Sequence, residues 1–350
     1  MSEPEVSPYN LALVGASTLQ GKEVKALLDQ RGFPVGRLVL LDVEEARGQL
    51  TEFDDEPAII QTVGRGSFEK MAFAVFASSP SFTEEHWQIA EECGCQIIDL
   101  SYFLETHPRA RLRAPLIESL LDDPGNPPAG QGGERRLAVS AHPAAMAIAG
   151  VLGCLSRRFV VTRSVVLVLE SVSERGKAGL DELSRQTINL LSFQEIPKDV
   201  FDSQVAFNLR SSYGRQNHPT LHEAQNRIGR HVRELLRGRA VQPAVRLLQA
   251  PIFFGHAFCC YVDLAERVST EAVEEALDQR PFRVSRDLED QPNVVGVAGS
   301  NEIAIGAVER DPAGESGYWV WGALDNVRLA ALNAVEIAEE KVFAATGRAS

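Results

Sequence analysis

Four short apolar runs without polar alternation constrain the first third of this chain more than any other feature. They are Leu11-Ala12-Leu13-Val14, Leu38-Val39-Leu40-Leu41, Phe73-Ala74-Val75-Phe76 and the Ile pair within Gln96-Ile97-Ile98-Asp99. A strand with one face in water alternates apolar and polar residues, whereas a strand covered on both faces reads as a continuous run. The first run stops at Gly15, and Leu19 to Leu28 then takes helical spacing through Val24, Leu27 and Leu28. A helix-like stretch from Glu84 to Cys93 separates the last two runs. Strand, tight turn and helix in this order predict a parallel, Rossmann-type sheet and an α/β fold class.

The turn carries a first candidate site. Glycines at Gly15 and Gly21, with Ser17, Thr18, Leu19 and Gln20 between them, let the backbone approach a pyrophosphate at a helix N-terminus, where N–H groups and the helix dipole favour anions. The same glycines also suit a turn that only packs helix on strand. Asp42 follows Gly21 by 21 residues, at the end of the second strand, where a carboxylate can accept from a ribose 2′-hydroxyl and favour NAD.

With 350 residues, 44% of them hydrophobic, the chain is long enough for two domains. A net charge of −13 repels a phosphate backbone and argues against nucleic acid as a partner. Arg227, Arg230, Arg233, Arg237 and Arg239 form a local basic run, but Glu234 interrupts it and the spacing is that of a solvated helix face. The five cysteines (Cys93, Cys95, Cys154, Cys259, Cys260) are an odd number without scaffold density, which implies a reducing compartment and small buried hydrophobes. Cys93-Gly94-Cys95 has the wrong spacing for a metal or redox pair, and no metal site is expected. Met1 to Glu5 shows no export pattern and no apolar run is long enough for a bilayer, so the cytoplasm is expected, with no membrane partner. Asp122 to Arg136, rich in Pro and Gly, is expected to be a flexible surface excursion.

Beyond His142 the pattern becomes α+β: a long strand at Val165–Leu169, helices at Leu180–Leu191 and Leu221–Leu236, and strands near Ile303–Val308 and Tyr318–Leu324. Asn326 to Phe343 has helical apolar spacing again.

Five further segments carry a resemblance: Gly15-Ala16-Ser17-Thr18-Leu19-Gln20-Gly21, Gly176-Lys177-Ala178-Gly179-Leu180-Asp181-Glu182-Leu183 with Gln204-Val205-Ala206-Phe207-Asn208, Pro251-Ile252-Phe253-Phe254-Gly255-His256, and Asp325 to Ala334. In this order they resemble the aspartate-β-semialdehyde dehydrogenase family over nearly the whole chain. The resemblance implies a dinucleotide-binding domain from residues 1–142 with 326–350, and an α+β dimerisation and substrate-like domain from residues 143–325. It further implies a homodimer, or a heterodimer with an active paralogue.

At Ala141-His142-Pro143-Ala144-Ala145-Met146-Ala147 the family has Asn-Pro-Asn-Cys-Ser/Thr, so Ala145 stands at the position of the nucleophilic cysteine. A methyl group cannot form a thiohemiacetal. The chain thus resembles a Usg-like paralogue without the family's aldehyde dehydrogenase activity, a dimeric scaffold or interaction protein. The alternative is an NAD(P)-dependent oxidoreductase acting on aspartate semialdehyde or a related aldehyde in amino-acid biosynthesis. His256 aligns with the family's acid/base, and Glu170 with its active-site glutamine, which adds negative charge to the site. Ser173-Glu174-Arg175-Gly176 follows where small residues are usual. Gln249 stands for the arginine that holds the substrate carboxylate, and Glu105 for the arginine that grips phosphate. Cys154, nine positions along one helix, is about 13 Å from Ala145 at ~1.5 Å per residue and cannot replace it. The family's NADP-selective segment reads Asp42-Val43-Glu44-Glu45-Ala46-Arg47, and its Gly-Gly beside the nicotinamide reads Ser79-Pro80; NAD or NADP is expected to bind weakly or not at all. Glu170 with His256 could move protons as in a hydrolase or isomerase, but no Gly-x-Ser-x-Gly elbow supports that reading.

Overall fold

The computed structural model describes residues 8–121, 136–214, 218–287 and 289–346. The expectations for Met1 to Glu5 and for Asp122 onward, up to Arg136, lie outside the described residues. The chain divides into two compact units, one of Met1–Pro115, Asn126–Ala141 and Ala330–Ser350, the other of Leu116–Gly125 and His142–Leu329.

The four apolar runs form strands of the first unit. Its strands are β1 (Tyr9–Val14), β2 (Val35–Asp42), β3 (Leu50–Phe53), β4 (Glu56–Ile59), β5 (Gln61–Thr62), β6 (Phe73–Phe76), β7 (Gln96–Asp99), β8 (Arg111–Arg113) and β9 (Leu137–Ser140). β3 and β4 pair as a separate ribbon. The other seven make one sheet in the order β5-β2-β1-β6-β7-β9-β8, and every pair in it is parallel. Leu11 to Val14 are fully buried, as strands covered on both faces require. Helices α1 (Leu19–Gln30) and α2 (Pro80–Glu92) belong here. The second starts four residues before Glu84 because Ser79 caps it through the Phe82 N–H and Pro80 is pre-organised for a first helical position.

Helix α3 (Pro115–Leu121) leads into the second unit, which holds α4 (Pro143–Ser156), α5 (Gly176–Leu191), α6 (Leu221–Leu236) and α7 (Thr270–Leu277). The strands there are β10 (Val161–Glu170), β11 (Ala244–Gln249), β12 (His256–Leu264), β13 (Phe282–Val284), β14 (Ile303–Ile305), β15 (Glu309–Arg310) and β16 (Gly317–Leu324). They form a mixed sheet in the order β11-β10-β12-β16-β14-β13, with β15 added to β16. Helix α8 (Asn326–Thr346) gives its first turn to this unit and its remainder to the first. In the first unit Glu339 accepts a two-pronged bond from Arg31 at 2.7 and 2.6 Å, and Asn333 donates to Arg113 O at 3.0 Å. The fold is therefore α/β, a parallel-sheet unit with a mixed-sheet unit, as the sequence predicts. Two bounds differ. The helix expected from Leu180 begins at Gly176, and the strand expected to reach Val308 ends at Ile305.

Helix α4 is apolar on all sides, and Pro143 to Leu155 are all buried. Helix α6 has the opposite character, with a capping box between Thr220 and Glu223 and Leu221, Ile228, Val232, Leu235 and Leu236 on its buried face. Several element ends meet in one place. β10 ends at Glu170, β11 at Gln249, β12 starts at His256, and α8 starts at Asn326; ladder partners Glu170 and Gln249 sit side by side.

Candidate functional site

The second unit contains a dense ionisable cluster built on these ends. His142 is the N-cap of α4, its Nδ1 accepting the Ala144 N–H at 3.2 Å. Glu174 sits in a 3₁₀ turn, Val172–Arg175. The Glu174 carboxylate is the hub: Oε1 lies 3.0 Å from His256 Nε2 and accepts from Asn326 Nδ2 at 2.9 Å, and Oε2 lies 3.8 Å from His142 Nε2. The two imidazoles stack, centroids 6.0 Å apart and 10° from parallel. His231, on the buried face of α6, accepts the His142 N–H through Nδ1 at 3.1 Å.

These contacts set the charges. Burial works against a charged Glu174, but the His256 bond, the two imidazoles and the Asn326 amide outweigh it and hold its carboxyl well below the usual range. Burial likewise opposes a charged His256, yet the bond and charge of Glu174 and the charge of Glu170 leave its pKa raised. For His142 burial wins and the pKa drops to about 3, so that ring is neutral near pH 7.

The two carboxyls of the site diverge. Burial, then the neighbouring Glu174, pushes Glu170 up to about 7. Hydrogen-bond bookkeeping leads to the same protonated state. Gln249 Nε2 donates to Glu170 O and Ala250 O, both at 2.8 Å, so its Oε1 is an acceptor, 2.5 Å from the Tyr213 hydroxyl. That hydroxyl has one proton and spends it on Gln249. Glu170 Oε1, 3.2 Å away, completes the chain as a carboxylic acid that donates to Tyr213. Near pH 7 the Glu170 carboxyl is therefore only partly ionised, and the carboxylate that carries full charge is Glu174. Arg175 covers the Tyr213 ring, its Cζ 5.0 Å from the centroid, and bonds Pro219 O.

His142, Glu174 and His256 bring three ligand-type atoms within 4.8 Å of one another, a set that could be imagined around a divalent cation. The second contact of each ring argues otherwise. Both Nδ1 atoms face a backbone N–H, that of Ala144 at 3.2 Å and that of Ser171 at 3.3 Å. That places the proton on Nε2, the nitrogen whose lone pair a metal would need.

In the first unit the glycine turn is built as its residues predict. Gly15 has φ +86°, and a Cβ there would lie 2.6 Å from Ala77 O; one at Gly21 would lie 2.0 Å from Gly15 O. Thr18 caps α1 through the Gly21 N–H at 2.9 Å. Asp42 is buried, and its oxygens accept from Ser17 N at 2.7 Å and Val43 N at 2.8 Å. It ties the loop to β2, leaving one lone pair on each oxygen for a ribose. Arg47 pairs with Glu44 at 3.0 Å. Leu19 and Gln20 then open α1, so the turn leads into a helix N-terminus, the kind of position that favours anions.

The cysteines are free. Burial raises Cys95 and Cys154 to about 11 and Cys260 to about 12, so these thiols stay protonated. Cys93 is exposed and Cys259 partly so, which corrects the expectation that all five are buried. Of the arginine run, Arg230, Arg233 and Arg237 are exposed.

Matches to known proteins fall along the whole chain. The semialdehyde dehydrogenase NAD binding domain family matches residues 10–189, and the semialdehyde dehydrogenase dimerisation domain family matches residues 152–329. The chain belongs to the semialdehyde dehydrogenase family. It is 32% identical over 342 residues to a USG-1 protein homolog of Pseudomonas aeruginosa, covering 95% of this chain and 97% of that protein. It is 28% identical over 340 residues to the aspartate-semialdehyde dehydrogenase of Rickettsia bellii, covering 95% and 98%. The structure of a probable aspartate-semialdehyde dehydrogenase from Pseudomonas aeruginosa superimposes with a TM-score of 0.85 at 31% identity, over 95% of this chain and 98% of that one. Against this family background His256 and Glu170 are brought into one cluster, three residues along from His142 lies Ala145, fully buried in the first turn of α4, and Gln249 is a buried amide rather than a clamp. Sequence reasoning missed His142, His231 and Tyr213 as members of the cluster. Their one signal was weak: polar side chains beside runs that are otherwise apolar.

Proposed function

We propose that this chain is a dimeric semialdehyde dehydrogenase family member that does not oxidise aspartate semialdehyde by the family's thiol route and serves as an assembly partner, for itself or for an active paralogue. One observation carries the reading: the acid/base position, His256, is held by the chain's own Glu174 at 3.0 Å. A base so engaged must break a charge-assisted hydrogen bond to a carboxylate before it can serve a substrate. Ala145 offers no nucleophile, and the buried thiols of Cys154 and Cys260 are protonated. The family's dimerisation domain supports the dimer. Among the described residues no helix is long and apolar enough to cross a membrane, and the free cysteines suit a reducing cytoplasm.

The NAD binding domain match supports a dinucleotide in the first unit. There it would be held by the Gly15–Gly21 turn with Asp42 at the ribose, and it would supply a hydride acceptor. Asp42, Glu44 and Glu45 favour NAD, since a 2′-phosphate among them costs on the order of 1–3 kcal/mol. Calorimetric titration should give tighter binding of NAD than NADP; tighter NADP would mean that Arg47 leaves Glu44 for the phosphate. The activity test is purified protein with aspartate semialdehyde, phosphate and either dinucleotide. No turnover above a buffer blank is expected, and turnover lost in His256→Ala would instead establish the oxidoreductase reading.

A further inference from the structure

The Glu174 carboxylate is the hub of the cluster, and the side chains that reach its oxygens are donors. Asn326 Nδ2 and the His256 ring N–H converge on Oε1 at 2.9 and 3.0 Å, with the His142 Nε2–H 3.8 Å from Oε2. Asn326 is fixed in turn: its Oδ1 accepts from Gly255 N at 3.0 Å and from Ser173 Oγ at 3.1 Å, so its amide group has no alternative orientation. His256 is fixed by Ser171 N on its other nitrogen. These donors are 1–4% exposed, whereas the Glu174 side chain keeps 16% of its surface in solvent. The donors thus belong to the rigid frame, and the carboxylate reaches them from a short turn with one side open. That turn ends at Gly176, whose φ of +61° and ψ of −153° only glycine adopts readily.

We propose that His142, His256 and Asn326 form a carboxylate-binding cradle that the chain fills in cis with Glu174, and that a small free monocarboxylate of acetate size occupies it once that side chain is withdrawn. Buried donors left without an acceptor are costly, and Glu174 supplies the acceptor from within the chain. The size limit follows from the arm that would be vacated, a methylene and a carboxylate. The inference concerns binding and stands whether or not the chain turns over any substrate.

The test is Glu174→Ala titrated with acetate, and with acetamide as the neutral match, followed by thermal unfolding and by the ring 15N signals of His256. Acetate should raise the variant's Tm and restore the wild-type His256 signals at a concentration about tenfold or more below any effect on the wild type, and acetamide should do neither. Equal effects of acetate and acetamide, or none from acetate, would overturn the proposal. Should Glu174→Ala not fold, Glu174→Gln keeps the volume and removes the charge. The His256 signals must then shift and acetate must still be excluded; unchanged signals, or acetate binding to this filled cradle, would equally overturn it.

Discussion

At the residue scale the site is governed by proton counting. Glu170, Tyr213 and Gln249 form a chain in which each hydrogen bond has one proton to assign, and only a protonated Glu170 satisfies all three. Its carboxyl rises from 4.5 to about 7 in the folded protein, so the folded state holds that proton more tightly than the unfolded state. This group's contribution to stability is therefore complete below about pH 4.5 and is lost as pH rises to 7. Glu170→Gln, which mimics the protonated acid, should remove this loss. Between pH 4.5 and 8 the variant should gain ~2–3 kcal/mol relative to wild type, read from urea unfolding at both pH values. Parallel pH profiles would show that Glu170 ionises freely. None of this was legible in the sequence. A glutamate aligned with a neutral glutamine reads as added charge, and only burial and the fixed amide of Gln249 reveal how far its ionisation is held back.

At the element scale the sequence was far more informative, because hydrophobic periodicity and capping are local. Helix α6 starts and ends as its spacing predicts, fixed by the Thr220 and Glu223 box. The apolar tetrads of β1, β2 and β6 announce a sheet covered on both faces. The short elements carried no such signal: β3, β4, β8 and β13 have three or four residues each, too few to establish a period. Helix α4 shows how tertiary packing overrides propensity. Gly150 and Gly153 weaken it locally, yet a Cβ at Gly150 would lie 2.6 Å from Phe282 Cζ and one at Gly153 2.3 Å from Leu121 Cδ2. Gly150→Ala should gain ~1 kcal/mol in helix propensity but cost about 1–3 kcal/mol in overpacking against a rigid ring. A lower Tm is expected, and a higher one would mean that Phe282 yields.

At the scale of the whole molecule, the family match spans both units, and order of segments along the chain was the signal that made it legible. The proposed assembly rests on the second unit, which carries the dimerisation-domain match. Its sheet leaves Val165 and Trp319 exposed on β10 and β16, and the Trp319 ring packs at a 58° tilt against Tyr261 of β12, centroids 4.7 Å apart. An apolar, aromatic sheet face of this kind suits an interface between copies. Light scattering should return twice the 38.2 kDa chain mass, and Trp319→Glu should lower it. A monomeric wild type would remove the basis for the assembly role.

If the family's thiol chemistry is blocked here at more than one position, as proposed, repairing one of them restores nothing. Ala145→Cys places a thiol in the first turn of α4, while Glu174 still holds His256 and Gln249 remains a buried amide. Initial rates of phosphate-dependent aspartate semialdehyde oxidation should stay at the blank in this variant, with the dimer intact by light scattering. Substantial turnover in Ala145→Cys alone would show that the rest of the site is a working dehydrogenase centre, with Ala145 its one defect.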